Sequence, residues 1–395
     1  MTNFEYQCLR DNTVIHNAVI NVTDDCNLRC PYCFTKANKR VIDMETMKAA
    51  INFVLNECKR TEQDVIPSIY FFGGEPMMQF EQVIVPAVEW TEKSGIRDKY
   101  KIQFGMTTNG TLLSEKCLDW LASHGVNILL SIDGDKVTQD SQRPGPTNSS
   151  SFDLLAPKLP LILKYFPAVT FRSTIEPYNA ERIYENYLFA RDSNFQNFYL
   201  TPNIFAEWSI NRIVTALKQL SFIADKMYQD ISKGNRPLVW NELVLFMQSC
   251  FSEKKAKKIE LNHCGIGIGS VGIAANGDIN GCQEHNTYHE HDIFYIGNVF
   301  DGINEERHRQ LLTTYQSIPH PVCREEPSLC EKCSFYVDCV QHFCPSHNLL
   351  MGRGAAENTL VTCMWNRFVK DLAFILLERI AVEKNDRMVR FLENA

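Results

Sequence analysis

Three cysteines near the N-terminus have the spacing of a metal-binding loop. Cys26, Cys30 and Cys33 lie in the run CNLRCPYC, so one short segment carries three thiols. A four-iron [4Fe–4S] cluster takes four thiolates when the protein supplies every ligand. Three cysteines would leave one iron free to bind a small molecule, which indicates chemistry as well as structure. Zinc loops use similar spacings, so this pattern alone leaves a zinc site or three buried core cysteines open.

A second group of cysteines lies near the C-terminus. The chain has 15 cysteines, and its start, MTNFEYQCLRDN, lacks a signal peptide, so we expect a cytoplasmic protein. The cytosol keeps thiols reduced, which favours metal ligation over disulfides for clustered cysteines. The C-terminal group comprises Cys264, Cys282, Cys323, Cys330, Cys333, Cys339, Cys344 and Cys363.

Composition narrows the function classes. The chain has 395 residues, of which 45% are hydrophobic and 22% are charged, enough for two or three domains. A net charge of −7 argues against general nucleic-acid binding. No apolar run approaches about 18 residues, so we expect no membrane span.

Alternating strands and helices must position these cysteines. Six alternating units with short turns predict an α/β fold, in which helices pack outside a parallel sheet. A partial barrel and a doubly wound sheet both fit that spacing. The predicted strands are 18–22, 68–72, 102–106, 126–132, 169–172 and 198–200, and the predicted helices are 43–59, 80–93, 114–124, 152–165 and 179–192.

Polar residues follow the predicted strands, and functional loops leave the carboxyl ends of parallel strands. Gly73 and Gly74 would let the backbone approach a ligand closely, and Glu75 could bind an ammonium group, although a plain turn with a helix-capping Glu fits as well. The Ser131 hydroxyl and the Asp133 carboxylate, in the run SIDG, could bind a ribose or cap a turn. Arg172 could pair with a carboxylate.

Together these motifs resemble the radical S-adenosylmethionine (SAM) superfamily over about residues 14–205. The resemblance rests on the cysteine loop with Tyr32 before its last cysteine, followed by GGEP, TTNG and SIDG. It implies a partial (β/α)6 barrel whose three cysteines hold a [4Fe–4S] cluster, with SAM chelated by the open iron. The SAM contacts that it implies are Gly73, Gly74 and Glu75 at the methionine amino group, Ser131 at the ribose and Arg172 at the carboxylate end.

The C-terminal cysteines resemble the SPASM extension found in part of that superfamily. Four residues separate Cys339 from Cys344, where the family usually has three. The resemblance implies two auxiliary clusters, and therefore three [4Fe–4S] clusters in total. Its first auxiliary cluster would use Cys264, Cys282 and Cys344, and its second would use Cys330, Cys333, Cys339 and Cys363.

The first auxiliary cluster is one ligand short by this count. Cys250 or Cys323 could complete it, or its iron could stay open and accept a substrate thiolate. A zinc ribbon built from Cys330, Cys333, Cys339 and Cys344, with His342 or His347 replacing a thiolate, is an alternative. The stretch with His285, His289 and His291 is expected to be a solvated loop.

The resemblance also divides the chain into segments. We expect a radical SAM barrel over 1–205, a helical bridge over 206–262, a SPASM domain with little regular structure over 263–363, and a C-terminal helix over 364–395. About 13 residues precede the first predicted strand, too few for a separate leader-binding domain. A leader peptide would then be bound by the barrel surface or by a partner protein.

The implied function is modification of a precursor peptide or protein by a radical enzyme. A low-potential donor of the flavodoxin or ferredoxin type would reduce the cluster, and cleavage of SAM would yield a 5′-deoxyadenosyl radical that abstracts a substrate hydrogen. We expect a thioether cross-link as the product, and no residue is predicted to be catalytic. Alternatives are a formylglycine-forming sulfatase maturase, a carbon–carbon cross-linking or epimerising maturase, and a non-enzymatic electron carrier. Sulfatase maturases place an Asp beside the first auxiliary cysteine, where this chain has His263 and Gly265.

Overall fold

The computed structural model describes residues 1–35, 38–61, 64–249, 265–286, 292–339 and 343–395. Several residues that carry sequence-based predictions lie outside these ranges, and what was predicted for them stays a prediction. They are Cys250, His263, Cys264, His289, His291 and His342.

The described residues form thirteen β-strands and sixteen α-helices. The strands are β1 (Asn17–Thr23), β2 (Ser68–Gly73), β3 (Gln103–Thr108), β4 (Val126–Ser131), β5 (Thr170–Ile175), β6 (Asn197–Pro202), β7 (Val239–Trp240), β8 (Ser270–Ile273), β9 (Asp278–Asn280), β10 (Tyr295–Asn298), β11 (Gly302–Ile303), β12 (Val322–Cys323) and β13 (Glu357–Asn358). The helices are α1 (Asn3–Asn12), α2 (Met44–Cys58), α3 (Val85–Lys93), α4 (Ile96–Tyr100), α5 (Glu115–Ser123), α6 (Lys136–Gln142), α7 (Phe152–Leu155), α8 (Leu159–Tyr165), α9 (Ile183–Asp192), α10 (Ile210–Lys233), α11 (Asn241–Ser249), α12 (Glu305–Gln316), α13 (Tyr336–Cys339), α14 (Pro345–Leu350), α15 (Leu360–Glu383) and α16 (Asp386–Asn394).

The six predicted strands correspond to β1–β6, and the predicted α/β class is confirmed. The predicted helix over 152–165 is interrupted by a 3₁₀ turn, Ala156–Lys158, which separates α7 from α8. Prolines at the start of the turn and of α8 explain the break, because proline lacks the N–H that a continuous helix needs.

Two compact units make up the chain, each built from separate stretches of sequence. The first contains Met1–Arg29, Cys33–Leu129 and Glu260–Ile318, and the second contains Cys30–Tyr32, Leu130–Ile259 and Pro319–Ala395. The predicted segment boundaries stay a prediction.

The first unit contains parallel pairing from β8 through β1 and β2 to β3, and antiparallel pairing from β8 through β9 and β10 to β11. Five of the seven residues of β1 are buried, including the consecutive run from Ile20 to Thr23, as expected for a strand between covered faces. Phe71 of β2 stacks on Phe104 of β3 with ring centroids 5.8 Å apart. The strands therefore share one core that fixes where their carboxyl ends lie.

In the second unit, the end of β4 pairs in parallel with β5, followed by β6 and β7. Phe171 lies at the centre of its core and contacts the rings of Phe189, Phe195 and Phe198. This unit also contains the small parallel pair β12–β13.

The C-terminal part holds more regular structure than predicted. Strands β8–β11 and the helix α12 lie within the segment expected to be irregular, and the tail carries α16 as well as α15. His285 is buried and stacks on Phe294 at 3.4 Å, so the prediction of a solvated loop is wrong at this residue. The described residues contain no helix that is long and apolar enough to cross a membrane.

Helix α2 begins with a capping side chain. The Asp43 carboxylate accepts a hydrogen bond from the backbone N–H of Thr46 at 2.7 Å. We expect Asp43→Ala to lower the free energy of unfolding by about 1 kcal/mol, because an orphan N–H loses its acceptor. The measurement is the urea unfolding transition. Asp43→Asn keeps an acceptor and should stay close to wild type; equal losses in both variants would contradict the capping role.

Candidate active site

The cysteine loop follows β1 directly. In the first unit, the Cys26 thiol accepts a hydrogen bond from the backbone N–H of Leu28 at 3.4 Å. Burial raises the pKa of Cys26 to about 11, and the negative charges of Glu75 and Cys33 raise it further. Cysteine thiolates are the ligands of iron–sulfur clusters, and this loop supplies three cysteines. This donor set therefore fits an iron–sulfur cluster.

The GGEP turn packs against the backbone of that loop. Gly74 donates its N–H to the Thr23 carbonyl at 2.7 Å, and Glu75 donates to the Asp25 carbonyl at 2.9 Å. A Cβ on Gly74 would lie 2.0 Å from the Asp25 oxygen, and one on Gly73 would lie 2.1 Å from the Thr23 oxygen. Gly73 also has φ of +120°, which disfavours other residues. The paired glycines thus bring two loops into contact.

Glu75 is buried and held by protein donors. Its carboxylate accepts hydrogen bonds from the Thr108 hydroxyl at 2.7 Å and from the Asn109 N–H at 2.7 Å. The Met77 N–H donates to it at 3.1 Å, so Glu75 also caps the short helix that follows. The capping role considered for this residue is present, and its contact with SAM stays a prediction.

The TTNG turn joins the same arrangement. The Asn109 side-chain amide lies 4.0 Å from the Cys26 sulfur and donates to the Asn27 side chain at 2.9 Å. The backbone N–H and the hydroxyl of Thr111 donate to the side-chain oxygen of Asn109, which fixes the orientation of the amide. Three loops that follow β1, β2 and β3 are therefore linked by hydrogen bonds around Cys26.

A buried ion pair organises the second unit. Arg143 donates to both carboxylate oxygens of Asp133, at 2.9 and 3.1 Å, and the Tyr32 hydroxyl donates to the same carboxylate at 2.6 Å. The Thr174 N–H donates at 2.9 Å. Burial opposes the charge on Arg143, but the Asp133 carboxylate raises the net pKa of the guanidinium. Tyr32, the aromatic residue before the third cysteine, is thereby fixed.

Sequence reasoning missed part of this network. The sequence predicts that the Asp133 carboxylate binds a ribose or caps a turn, but in the structure it pairs with Arg143, for which the sequence predicts no function. Its signal in the sequence is weak, because a single arginine in a polar stretch is usually exposed. Only the fold brings Arg143 to Asp133.

Ser131 and Arg172 are neighbours on adjacent strands. They are paired in the parallel register of β4 and β5, and the Ile132 N–H donates to the Arg172 carbonyl at 3.1 Å. The Arg172 guanidinium lies 6.0 Å from the Tyr199 ring centroid. The structure thus brings these two predicted residues together within the second unit, and their contacts with SAM stay a prediction.

Five C-terminal thiols form a group in the second unit. The Cys330 sulfur accepts a hydrogen bond from the Cys323 N–H at 3.3 Å, and the Cys339 sulfur accepts one from the Asn358 amide at 3.5 Å. Burial raises the pKa of Cys339 to about 11, and the charges of Cys333, Cys330 and Cys323 add to it. A hydrogen bond from Cys363 lowers the pKa of Cys323 to about 7.

This group includes the four cysteines predicted to bind the second auxiliary cluster, together with Cys323. Cys323 was considered as the missing ligand of the first auxiliary cluster, but it lies beside Cys330 and Cys363 instead. Cys282 belongs to the first unit and Cys344 to the second. The Cys344 sulfur accepts a hydrogen bond from the His347 N–H at 3.4 Å.

The described residues form no binding site for a single metal ion. No three His, Cys, Asp or Glu side chains there are arranged as ligands of one ion. His347, a candidate zinc ligand, packs against the Phe205 ring at 5.3 Å. A four-iron cluster is larger than one ion and is ligated by one thiolate per iron, so its cysteines lie farther apart.

Comparison with known proteins identifies the domain that carries the cysteine loop. Residues 20–155 match the family model of the Radical SAM superfamily. The cysteine-type anaerobic sulfatase-maturating enzyme of Clostridium perfringens is 24% identical over 226 residues, which are 53% of this chain and 60% of that protein. Radical SAM cyclopropyl synthase TigE of Paramaledivibacter caminithermalis is 24% identical over 221 residues, covering 50% of this chain and 44% of TigE. The chain spans about half the length of these curated relatives.

The fold is also found in a solved structure. Native anSMEcpe with bound AdoMet and Cp18Cys peptide matches with a TM-score of 0.71 at 20% identity, covering 93% of this chain and 99% of that one. The predicted resemblance to SPASM-type radical SAM maturases is confirmed by the family match and these relatives.

We expect the buried ion pair between Asp133 and Arg143 to stabilise the second unit. We expect Asp133→Asn to lower the free energy of unfolding in urea by about 3–5 kcal/mol, because it leaves the buried Arg143 without a counter-charge. The matched control is Asp135→Asn, which weakens a partly exposed ion pair with Arg182 and should cost less than about 1 kcal/mol. Similar losses in the two variants would show that the buried pair is not special.

Proposed function

We propose that this chain, which belongs to the radical SAM superfamily through residues 20–155 and is therefore an enzyme, modifies a peptide or protein substrate. The observation that carries the proposal is the packing of the GGEP turn on the CxxxCxxC loop in the first unit. That packing brings a buried carboxylate near Cys26, the first of three thiols in one loop. The similarity to sulfatase-maturating and cyclopropyl synthase enzymes supports a maturase.

The cysteine loop would hold the SAM-binding cluster. Cys26, Cys30 and Cys33 are the proposed ligands, and a reduced cluster there supplies the electron that cleaves SAM to a hydrogen-abstracting radical. Asn109 and Leu28 direct N–H donors at the Cys26 sulfur, which stabilises its thiolate form. Tyr32 is fixed by Asp133 and therefore limits the movement of the loop.

The proposed SAM contacts lie at opposite ends of its methionine part. Glu75 would pair with the amino group, and the turn of Gly73 and Gly74 would lie along the ligand. Ser131 would contact the ribose, and Arg172 the carboxylate. A carboxylate facing an ammonium and a guanidinium facing a carboxylate are complementary charges, so together they would orient the ligand.

Two auxiliary clusters would complete the enzyme. Cys330, Cys333, Cys339 and Cys363 are the proposed ligands of one, and the grouping of their thiols supports this assignment. Cys264, Cys282 and Cys344 are the proposed ligands of the other. We further propose a cytoplasmic location, a flavodoxin- or ferredoxin-type electron donor and, for the leader peptide, a separate binding protein.

The proposed product is a thioether cross-link in a ribosomally made precursor peptide. An incomplete thiolate set at the first auxiliary cluster would leave an iron for the substrate thiol. The second candidate is formylglycine formation, which is favoured by the similarity to the cysteine-type sulfatase-maturating enzyme.

The ligand assignment can be tested with Cys30→Ser. In protein reconstituted anaerobically, we expect about 12 irons per chain for wild type and about eight for the variant, since one of three four-iron clusters is lost. Reductive cleavage of SAM to 5′-deoxyadenosine should disappear. Cys117→Ser in α5 is the control and should match wild type in both measurements. Cleavage of SAM by the Cys30 variant would refute the radical function.

The bond that forms can be tested with a cysteine-containing peptide encoded beside the gene. A thioether removes two hydrogen atoms from the peptide, retains the sulfur and blocks the thiol against alkylation. Formylglycine formation removes the sulfur and creates an aldehyde that reacts with hydrazides. We expect the first pattern in tandem mass spectra, and an aldehyde product would establish the second candidate instead.

A further inference from the structure

The second unit contains a partly open cavity of about 290 Å³ at the carboxyl end of β6. Its walls come from β6, α11, α14, β13 and α15. Three aromatic side chains line it, Tyr199, Phe343 and Trp365, together with one acid, Glu242. Among the described residues that line it, His347 is the one basic side chain, and none is lysine or arginine.

The Glu242 carboxyl lacks a complete set of partners. Its Oε2 atom is buried and has no hydrogen-bond partner among the described residues, and the same holds for Oδ1 of the preceding Asn241. Burial raises the pKa of Glu242 to about 7, although a hydrogen bond from the Trp365 indole to this carboxyl and the nearby Trp240 indole oppose the shift. An acid in the first turn of a helix is common, but that role does not require a buried oxygen to be unpaired. A buried acceptor without a hydrogen-bond donor lowers the stability of the folded state by about 1–3 kcal/mol.

Tyr199 connects this cavity to the proposed SAM site. Its ring lies beside Arg172 at 6.0 Å, and the charges of both Glu242 and Arg172 act on its hydroxyl. On another wall, Cys344 lines the cavity. A molecule bound here would therefore lie between the proposed carboxylate contact of SAM and a proposed auxiliary-cluster ligand.

We propose that the cavity binds a primary ammonium group, the side chain of a substrate lysine, with Glu242 as its counter-ion. Aromatic faces attract cations, and a carboxylate gives an ammonium a charge-assisted hydrogen bond. An acidic side chain would be repelled by Glu242, and an apolar one would leave Oε2 unpaired. The assignment of this group to a peptide rests on the proposed function.

The test compares two small probes on the full-length protein, reconstituted anaerobically. Nα-acetyl-lysine methylamide carries the ammonium, and Nα-acetyl-norleucine methylamide has a similar side chain without it. We expect the lysine probe to bind at least about tenfold more tightly, measured by ligand-observed NMR titration. Equal affinities would overturn the proposal. Binding of neither probe would also overturn it, because the cavity would then only make room for a cluster.

Glu242→Gln tests the role of the carboxylate. This change keeps the shape of the side chain but removes its charge, so the preference for the lysine probe should disappear. Glu378→Gln, at an exposed position of α15, is the matched control and should keep the preference. Circular dichroism and iron content must equal those of wild type in both variants. A retained preference in the Glu242 variant would overturn the assignment.

This experiment separates the inference from the proposed function. Probe binding needs no turnover, whereas the proposed function requires cleavage of SAM by the wild-type enzyme. Lysine-selective binding without SAM cleavage would refute the function and leave the ammonium site standing. SAM cleavage together with equal affinities for the two probes would refute the ammonium site and leave the proposed function standing.

Discussion

The close contact between the GGEP turn and the backbone after β1 is the constraint on which the candidate site depends. Gly74 lies so near the Asp25 carbonyl that a Cβ would overlap it at 2.0 Å, so only glycine fits. The contact brings the buried Glu75 to the first thiol of the cysteine loop. Because neighbouring parallel strands β1 and β2 end at the same edge, both loops are placed by one core rather than by their own rigidity.

Buried charge is the common element of both units. In the first, burial and the negative charge of Glu75 raise the pKa of Cys26 and so disfavour its thiolate. In the second, Asp133 is compensated by Arg143, while Glu242 keeps an unpaired oxygen that faces an aromatic cavity. Ligands that bring positive charge, iron at the thiols and an ammonium at Glu242, would satisfy what the protein alone leaves incomplete.

Much of the fold could be predicted from the sequence, because β-branched runs and helical spacing report local preferences directly. Six strands were found, but α1 was missed. Its local signal is a capping box of Thr2 and Glu5, whose side chains accept each other's backbone N–H, whereas its packing depends on distant partners such as Glu57, which pairs with Arg10 at 3.0 Å. The prediction for His285 was wrong because its burial depends on stacking against Phe294, a contact that only the fold creates.

The sequence by itself determined which chemical groups the chain offers, because residue type and spacing are properties of the chain. These groups are three thiols in one loop, a glycine pair before an acid, and a second set of cysteines. Only the tertiary structure decided which of these groups meet. It placed Cys323 with Cys330 and Cys363, joined Arg143 to Asp133, and exposed Glu242 to a cavity. Such pairings depend on long-range packing, because burial and charge act between residues that are far apart in the chain.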